Sequence, residues 1–258
     1  MRILHQIKTL TTYVVLEAFR TRFFIIVFLL LFISFGLTLF LGQIAITEID
    51  AVKSSLLATF LRLSAVYAIS LFVITSMVHE FNEQSIYLWL SFPLSRSVYL
   101  LGKLCGFILV STLIGLLFGV TLLQYAPYLQ VGLWTLSLCC ELFIITTTSL
   151  LCVLSFQRTM QAFSAILSFY LLARSIDAIR LMAQAPLQDS PTWSTQFISG
   201  FVEIIATLLP DFSYFTQTAW LVYHTGDFAT FLTIIGQTAI YGILLIAMCL
   251  FDLYRKNL

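Results

Sequence analysis

Between two long apolar runs lies the stretch His79-Glu80-Phe81-Asn82-Glu83-Gln84-Ser85, continued by Ile86-Tyr87-Leu88-Trp89-Leu90-Ser91-Phe92-Pro93-Leu94-Ser95-Arg96 and closed by Lys103. Helical spacing puts Glu80, Glu83, Gln84, Tyr87 and Ser91 on one face, and Phe81, Ser85, Leu88, Trp89 and Phe92 on the other. Two acids beside an aromatic cluster suit noncovalent docking of another protein better than bond chemistry. Links between helices are usually much shorter than this, so a partner is expected to read the segment. Pro93 stops the helix, and Ser95 is placed to cap the next one, which opens with Arg96.

A second set of ionisable side chains, Arg62, Glu141, Arg174, Asp177 and Arg180, interrupts otherwise apolar runs. Charges at membrane depth are costly and call for partners or a role. Glu141 and Arg174 each lie about eight residues from the same end of consecutive antiparallel runs, hence at similar depth at ~1.5 Å per residue. A Glu141–Arg174 pair is therefore expected. Asp177, spaced i, i+3, i+6 with Arg174 and Arg180, can bridge its neighbours, and Arg62 enters from a comparable depth. The set is either a satisfied ion-pair network or the polar lining of a transport path. Glu203 is expected to snorkel to an interface and Asp211 to cap.

Other chemistry is poorly supported. Cys105, Cys139, Cys140, Cys152 and Cys249 sit in apolar runs without metal-like spacing and read as small buried hydrophobes. His5, His79 and His224 fall far apart, so no metal site is expected. No Ser-His-Asp or paired-carboxylate arrangement suggests hydrolysis. Glu80 and Glu83 lack the third acid that a lipid- or prenyl-modifying enzyme would use for metal and phosphate.

The elements that position these residues follow from composition. The chain has 258 residues, 60% hydrophobic and 10% charged, with a mean hydropathy of +1.00. Soluble domains carry about 25% charged residues, so this is an all-α integral membrane protein. A net charge of +1 points to no nucleic-acid partner. Runs of about 20 apolar residues predict six spans: 23–47, 55–78, 98–124, 133–154, 159–182 and 228–251. The first apolar run begins only at Phe23 and is too long for a cleavable signal peptide. Residues 1–22 are amphipathic: Arg2, Gln6, Thr9, Tyr13, Glu17 and Arg20 line one face, and Ile3, Ile7, Leu10, Val14 and Ala18 the other. They read as an interfacial helix that turns into the membrane at Arg22. Segment 197–223 is broken at Pro210-Asp211 into pieces too short to span, as in a re-entrant hairpin of the outer leaflet. With six spans, nine of the 13 basic residues fall on the side of both termini, which makes that side cytoplasmic. A seventh span would strand Arg255 and Lys256 outside.

At this point the pattern resembles a family. His79-Glu80-x-x-Glu83-x-Ser85, then Leu90-Ser91-Phe92-Pro93-Leu94-Ser95-Arg96, then Tyr99-x-x-Gly102-Lys103 is similar to the cytoplasmic signature of type-2 ABC-transporter permeases, and the resemblance covers the whole architecture. Gln84-Ser85 stands where the family usually has Gly-Thr. The resemblance implies that 79–96 is a coupling helix, with Glu80, Glu83, Gln84, Tyr87, Leu88, Trp89, Phe92 and Arg96 meeting a cytoplasmic ATPase. It also implies a second permease copy, an export function and a bacterial cytoplasmic membrane. The chain has no Gly-x-x-x-x-Gly-Lys-[Ser/Thr] sequence. ATP and Mg would therefore bind a separate ATPase subunit, and this chain would hold no cofactor. The competing classes are an integral-membrane lipid- or prenyl-modifying enzyme and a non-catalytic scaffold.

Overall fold

The computed structural model describes residues 2–44, 49–83, 95–184 and 193–255. Helix α1 spans Arg2–Arg20, α2 Phe23–Ile44, α3 Ile49–Asn82, α4 Arg96–Leu122, α5 Tyr128–Phe156, α6 Thr159–Gln184, α7 Trp193–Leu208, α8 Ala219–Tyr223 and α9 Phe228–Arg255. Among the described residues there is no strand. Six helices there (α2 to α6, and α9) are long and apolar enough to cross a membrane. This is an all-α membrane protein.

Three span starts, at residues 23, 159 and 228, fall where the apolar runs begin. The fourth span starts earlier than expected, at Tyr128, directly after Pro127, whose ring pre-sets its φ of −59°. It ends at Gln157, held left-handed at φ 54° with its N–H on the Val153 carbonyl. The second span runs without Gly or Pro for 34 residues, about 51 Å at 1.5 Å per residue. That exceeds a hydrocarbon core of ~30 Å, so its ends reach well into both interfaces.

Helices α3 and α5 form the centre, with 67% of each span buried within the chain, against 22% for α2 and α9. Phe107, Ile114 and Phe118 of α4 are essentially inaccessible, the Phe107 ring standing edge-on to Phe72 of α3 at 5.8 Å, and α4 meets α5 through Gly115 and Gly119. Rows of large apolar side chains on α2 and α9, such as Phe28, Phe32, Ile243 and Phe251, remain exposed, as suits lipid-facing surface. Apolar faces meet lipid at no cost, so packing between spans rests on shape and polar bonds.

Helix α1 shows that packing most clearly. Leu10, Val14 and Ala18 of its apolar stripe are buried within the protein rather than laid on a leaflet. The helix lies across α4 at Gly102 and Gly106, where a Cβ would come within 2.8 Å of Leu10 Cβ and 2.6 Å of Val14 Cβ. The Thr11 hydroxyl donates to the Gly102 carbonyl at 3.3 Å. Only glycine allows this approach, the small-x-x-x-small geometry of membrane helix pairs. The chain then turns into α2 through Arg22, at φ 58°.

Gly106→Val is therefore expected to lift α1 from α4 and cost about 1–3 kcal/mol by overpacking. Gly36→Val, where a Cβ meets nothing within 4 Å, should leave stability unchanged. Thermal unfolding of the two purified variants in detergent checks the contrast.

Candidate functional site

Two polar centres lie inside the bundle. The first sits at the end that carries both termini, here the terminal side, at the base of the 84–94 segment. Helix α3 continues through Glu80, and its buried stripe Val73, Met77, Glu80 follows helical spacing. Glu80 is only 5% exposed. The Tyr99 hydroxyl donates to Glu80 Oε2 at 2.6 Å, and Lys103 Nζ donates to Glu80 Oε1. Tyr99 and Lys103 are one turn apart on α4, so they reach the same carboxylate. Lys103 is fully buried, with Nζ 3.8 Å from Glu17 Oε2 and 4.9 Å from the centre of the Tyr13 ring. Burial pushes the Tyr13 hydroxyl pKa up, and the neighbouring Glu17 carboxylate adds to the rise.

This corrects the expected placement of Glu80 on an exposed docking face with Glu83. The segment does not begin as an independent helix; its first residues continue the span, whose phase turns Glu80 inward. Glu83 does remain outside, its carboxylate 3.1 Å from His79 Nε2, with both side chains more than half exposed. Arg96 donates from Nη1 to the Leu253 carbonyl at 3.4 Å, joining α4 to the end of α9. Ser95 occupies the N-cap position with extended backbone, but its hydroxyl meets Ser97 Oγ at 3.2 Å and caps no N–H. Gln84, Tyr87, Leu88, Trp89 and Phe92 lie outside the described residues.

The second centre lies at mid-depth. Helix α7 stops before Pro210, and the chain returns through residues 209–218 to the short α8. This turn is held deep in the bundle. Arg174 Nη1 donates to the Phe215 carbonyl at 2.9 Å and also to the Phe212 carbonyl. Arg62 Nη1 donates to the Thr216 carbonyl at 3.2 Å. The Thr216 hydroxyl donates to Glu141 Oε2 at 2.7 Å, and its N–H to Ser137 Oγ at 3.0 Å. Arg62 and Glu141 are each about 20 Å along their helices, so the turn dips to that depth. From there α8 climbs along α5 to Gln130, whose amide binds the His224 and Gly226 backbone at 3.1–3.4 Å.

The expected pairings are thus replaced. Arg174 caps backbone carbonyls and forms no ion pair with Glu141; Thr216 stands on the Glu141 carboxylate. Asp177 does not bridge two arginines: it accepts the Ser213 hydroxyl, and Arg180 pairs with Glu203 on α7. Glu203 is therefore partnered and does not simply snorkel. Asp211 does cap, but it caps the turn itself, accepting the Ser213 N–H at 3.0 Å.

The physical reason is competition for donors. Non-helical carbonyls at membrane depth have no water and no helical N–H, and each costs several kcal/mol unpaired. Sequence reasoning gave Glu17 and Tyr99 no partner and missed Ser137, Ser213 and Thr216. The i, i+4 spacing of Tyr99 and Lys103 was a usable signal, whereas the hydroxyls carried none.

The chain matches no protein-family model and no curated protein.

Arg174→Met would leave the Phe215 carbonyl without a donor and the Phe212 carbonyl with the Phe215 N–H alone, and is expected to cost several kcal/mol. Arg180→Met removes a half-exposed pair and should cost less than about 1 kcal/mol. Unfolding of the purified variants in mixed detergent micelles would show the difference, and equal losses would contradict the assignment.

Proposed function

We propose that the chain is the permease subunit of an ABC-type exporter, working as a pair of copies and driven by a separate cytoplasmic ATPase that binds ATP and Mg. The observation that carries this reading is the buried Glu80–Lys103–Tyr99 site, directly at the root of the segment resembling a coupling helix. Six apolar spans and the absence of a P-loop in the sequence agree with it.

The mechanism follows from the connections of that site. A force on the 84–94 segment enters the end of α3. Glu80 passes it to α4 through Lys103 and Tyr99, and Lys103 brings in Glu17 of α1. In a low-dielectric interior such a pair is stiff, because separating its charges is costly. Helices α1, α3 and α4 would move as one body when nucleotide-driven closure of the ATPase pushes the segment. The exposed Glu83 and the Leu88–Phe92 face would form the docking surface, and Glu80 and Lys103 would transmit.

Reconstitution with the ATPase tests this division of labour. Glu80→Gln or Lys103→Met alone strands a buried partner and should cost about 3–5 kcal/mol. The double change Glu80→Met with Lys103→Met should recover the fold. It should still bind the ATPase while losing permease-dependent stimulation of ATP hydrolysis. Trp89→Ala should lose binding itself. A double variant with full stimulation would overturn the transmission role, and binding that survives Trp89→Ala would overturn the docking surface.

A further inference from the structure

A groove of about 190 Å³ runs between α2 and α3 on the outside of the bundle. Its walls are Phe23, Ile26 and Leu30 of α2 and Ala68 and Leu71 of α3, with Thr21 at the mouth. Tyr67 closes the inner end, its ring edge-on to Phe163 of α6 at 5.2 Å. From Thr75 to Tyr67 the groove follows about 12 Å of helix. One leaflet of hydrocarbon is about 15 Å thick, half of a ~30 Å core. The groove thus has the length of one leaflet, the one on the terminal side.

The mouth is cationic. Arg20 and Arg22 flank Thr21, both are exposed, and neither reaches a carboxylate among the described residues. Arg22 is kept at φ 58°, a left-handed conformation that a side chain disfavours. An apolar trough whose mouth residue is flanked in the chain by two exposed arginines matches an acyl chain joined to a phosphate.

We propose that this groove binds one anionic glycerophospholipid of the terminal-side leaflet, an acyl chain lying along Phe23, Ile26, Leu30 and Leu71 and the phosphate between Arg20 and Arg22. The lipid fills the seam between α2 and α3 and ties the α1–α2 turn to the bilayer. The site is independent of the exporter reading, since it needs only a membrane-spanning chain. Zwitterionic lipid fits the trough equally well but carries no net charge for the arginines.

The test is native mass spectrometry of the full-length protein released from bilayers of equimolar phosphatidylglycerol and phosphatidylcholine. One phosphatidylglycerol retained per chain is expected, and added inorganic phosphate should not displace it. Arg20→Gln with Arg22→Gln should reduce the preference for phosphatidylglycerol roughly thirty-fold, the loss expected of two interfacial cations. Arg255→Gln, removing an exposed charge elsewhere on the same side, should leave it unchanged. Thr75→Trp, which fills the groove, should release lipid of either kind. Equal retention of the two lipids by the native chain would overturn the proposal. So would a preference that survives the double glutamine change, or displacement by inorganic phosphate.

Discussion

Backbone that leaves the helix inside a membrane must find its hydrogen bonds within the protein, and this constraint organises the middle of the bundle. Pro210 ends α7, and the carbonyls of Phe215 and Thr216 then have no backbone N–H to accept from, while that of Phe212 accepts the Phe215 N–H at 3.2 Å. Arg174 and Arg62 supply donors, while Ser137 and Glu141 receive the N–H and hydroxyl of Thr216. The price of buried guanidiniums is thereby offset by the cost of the two carbonyls that would otherwise be orphaned. The same bonds join α3, α5 and α6 around the turn, so one local break in α7 sets how three spans meet.

At the terminal side a different logic holds. There α1 lies against Gly102 and Gly106 of α4, close enough that its Glu17 reaches the buried Lys103. Removing a side chain at two positions of α4 brings a surface helix into ion-pair range of a residue one position along. Steric approach and electrostatics are thus coupled. Glu80, Tyr99, Lys103 and Glu17 tie α1, α3 and α4 together where α3 leads into the 84–94 segment. On the proposed reading, a docking element attached to such a base passes on displacement, whereas one attached to a loose loop would absorb it.

The spans were legible because lipid imposes a length: about 20 apolar residues are needed, and the runs announce themselves. The α1 stripe of Leu10, Val14 and Ala18 was legible for a similar reason, as helical periodicity of apolar residues leaves little choice of buried face. The break at Pro210-Asp211 was readable too, because proline removes a donor wherever it stands. The partners of the charges were not. Arg174 and Arg62 bind carbonyls, which every residue carries, so nothing in the identities of Phe212, Phe215 or Thr216 marks them as acceptors. Glu80 misled in another way. Treating residues 79–96 as a separate helix reset the helical phase, whereas α3 carries its own phase through Met77 into Glu80.

The central claim is that the segment after α3 seats in an ABC ATPase while Glu80 and Lys103 form its base. Site-specific photo-cross-linking in native membranes is the most direct measurement, with a benzophenone side chain placed at Leu88, at Glu83 or, as a buried reference, at Val73. The account predicts that positions 88 and 83 cross-link to a polypeptide carrying a Gly-x-x-x-x-Gly-Lys-[Ser/Thr] sequence, and that position 73 cross-links only within the chain. Cross-links from 88 and 83 that reach only lipid or this chain itself would contradict it.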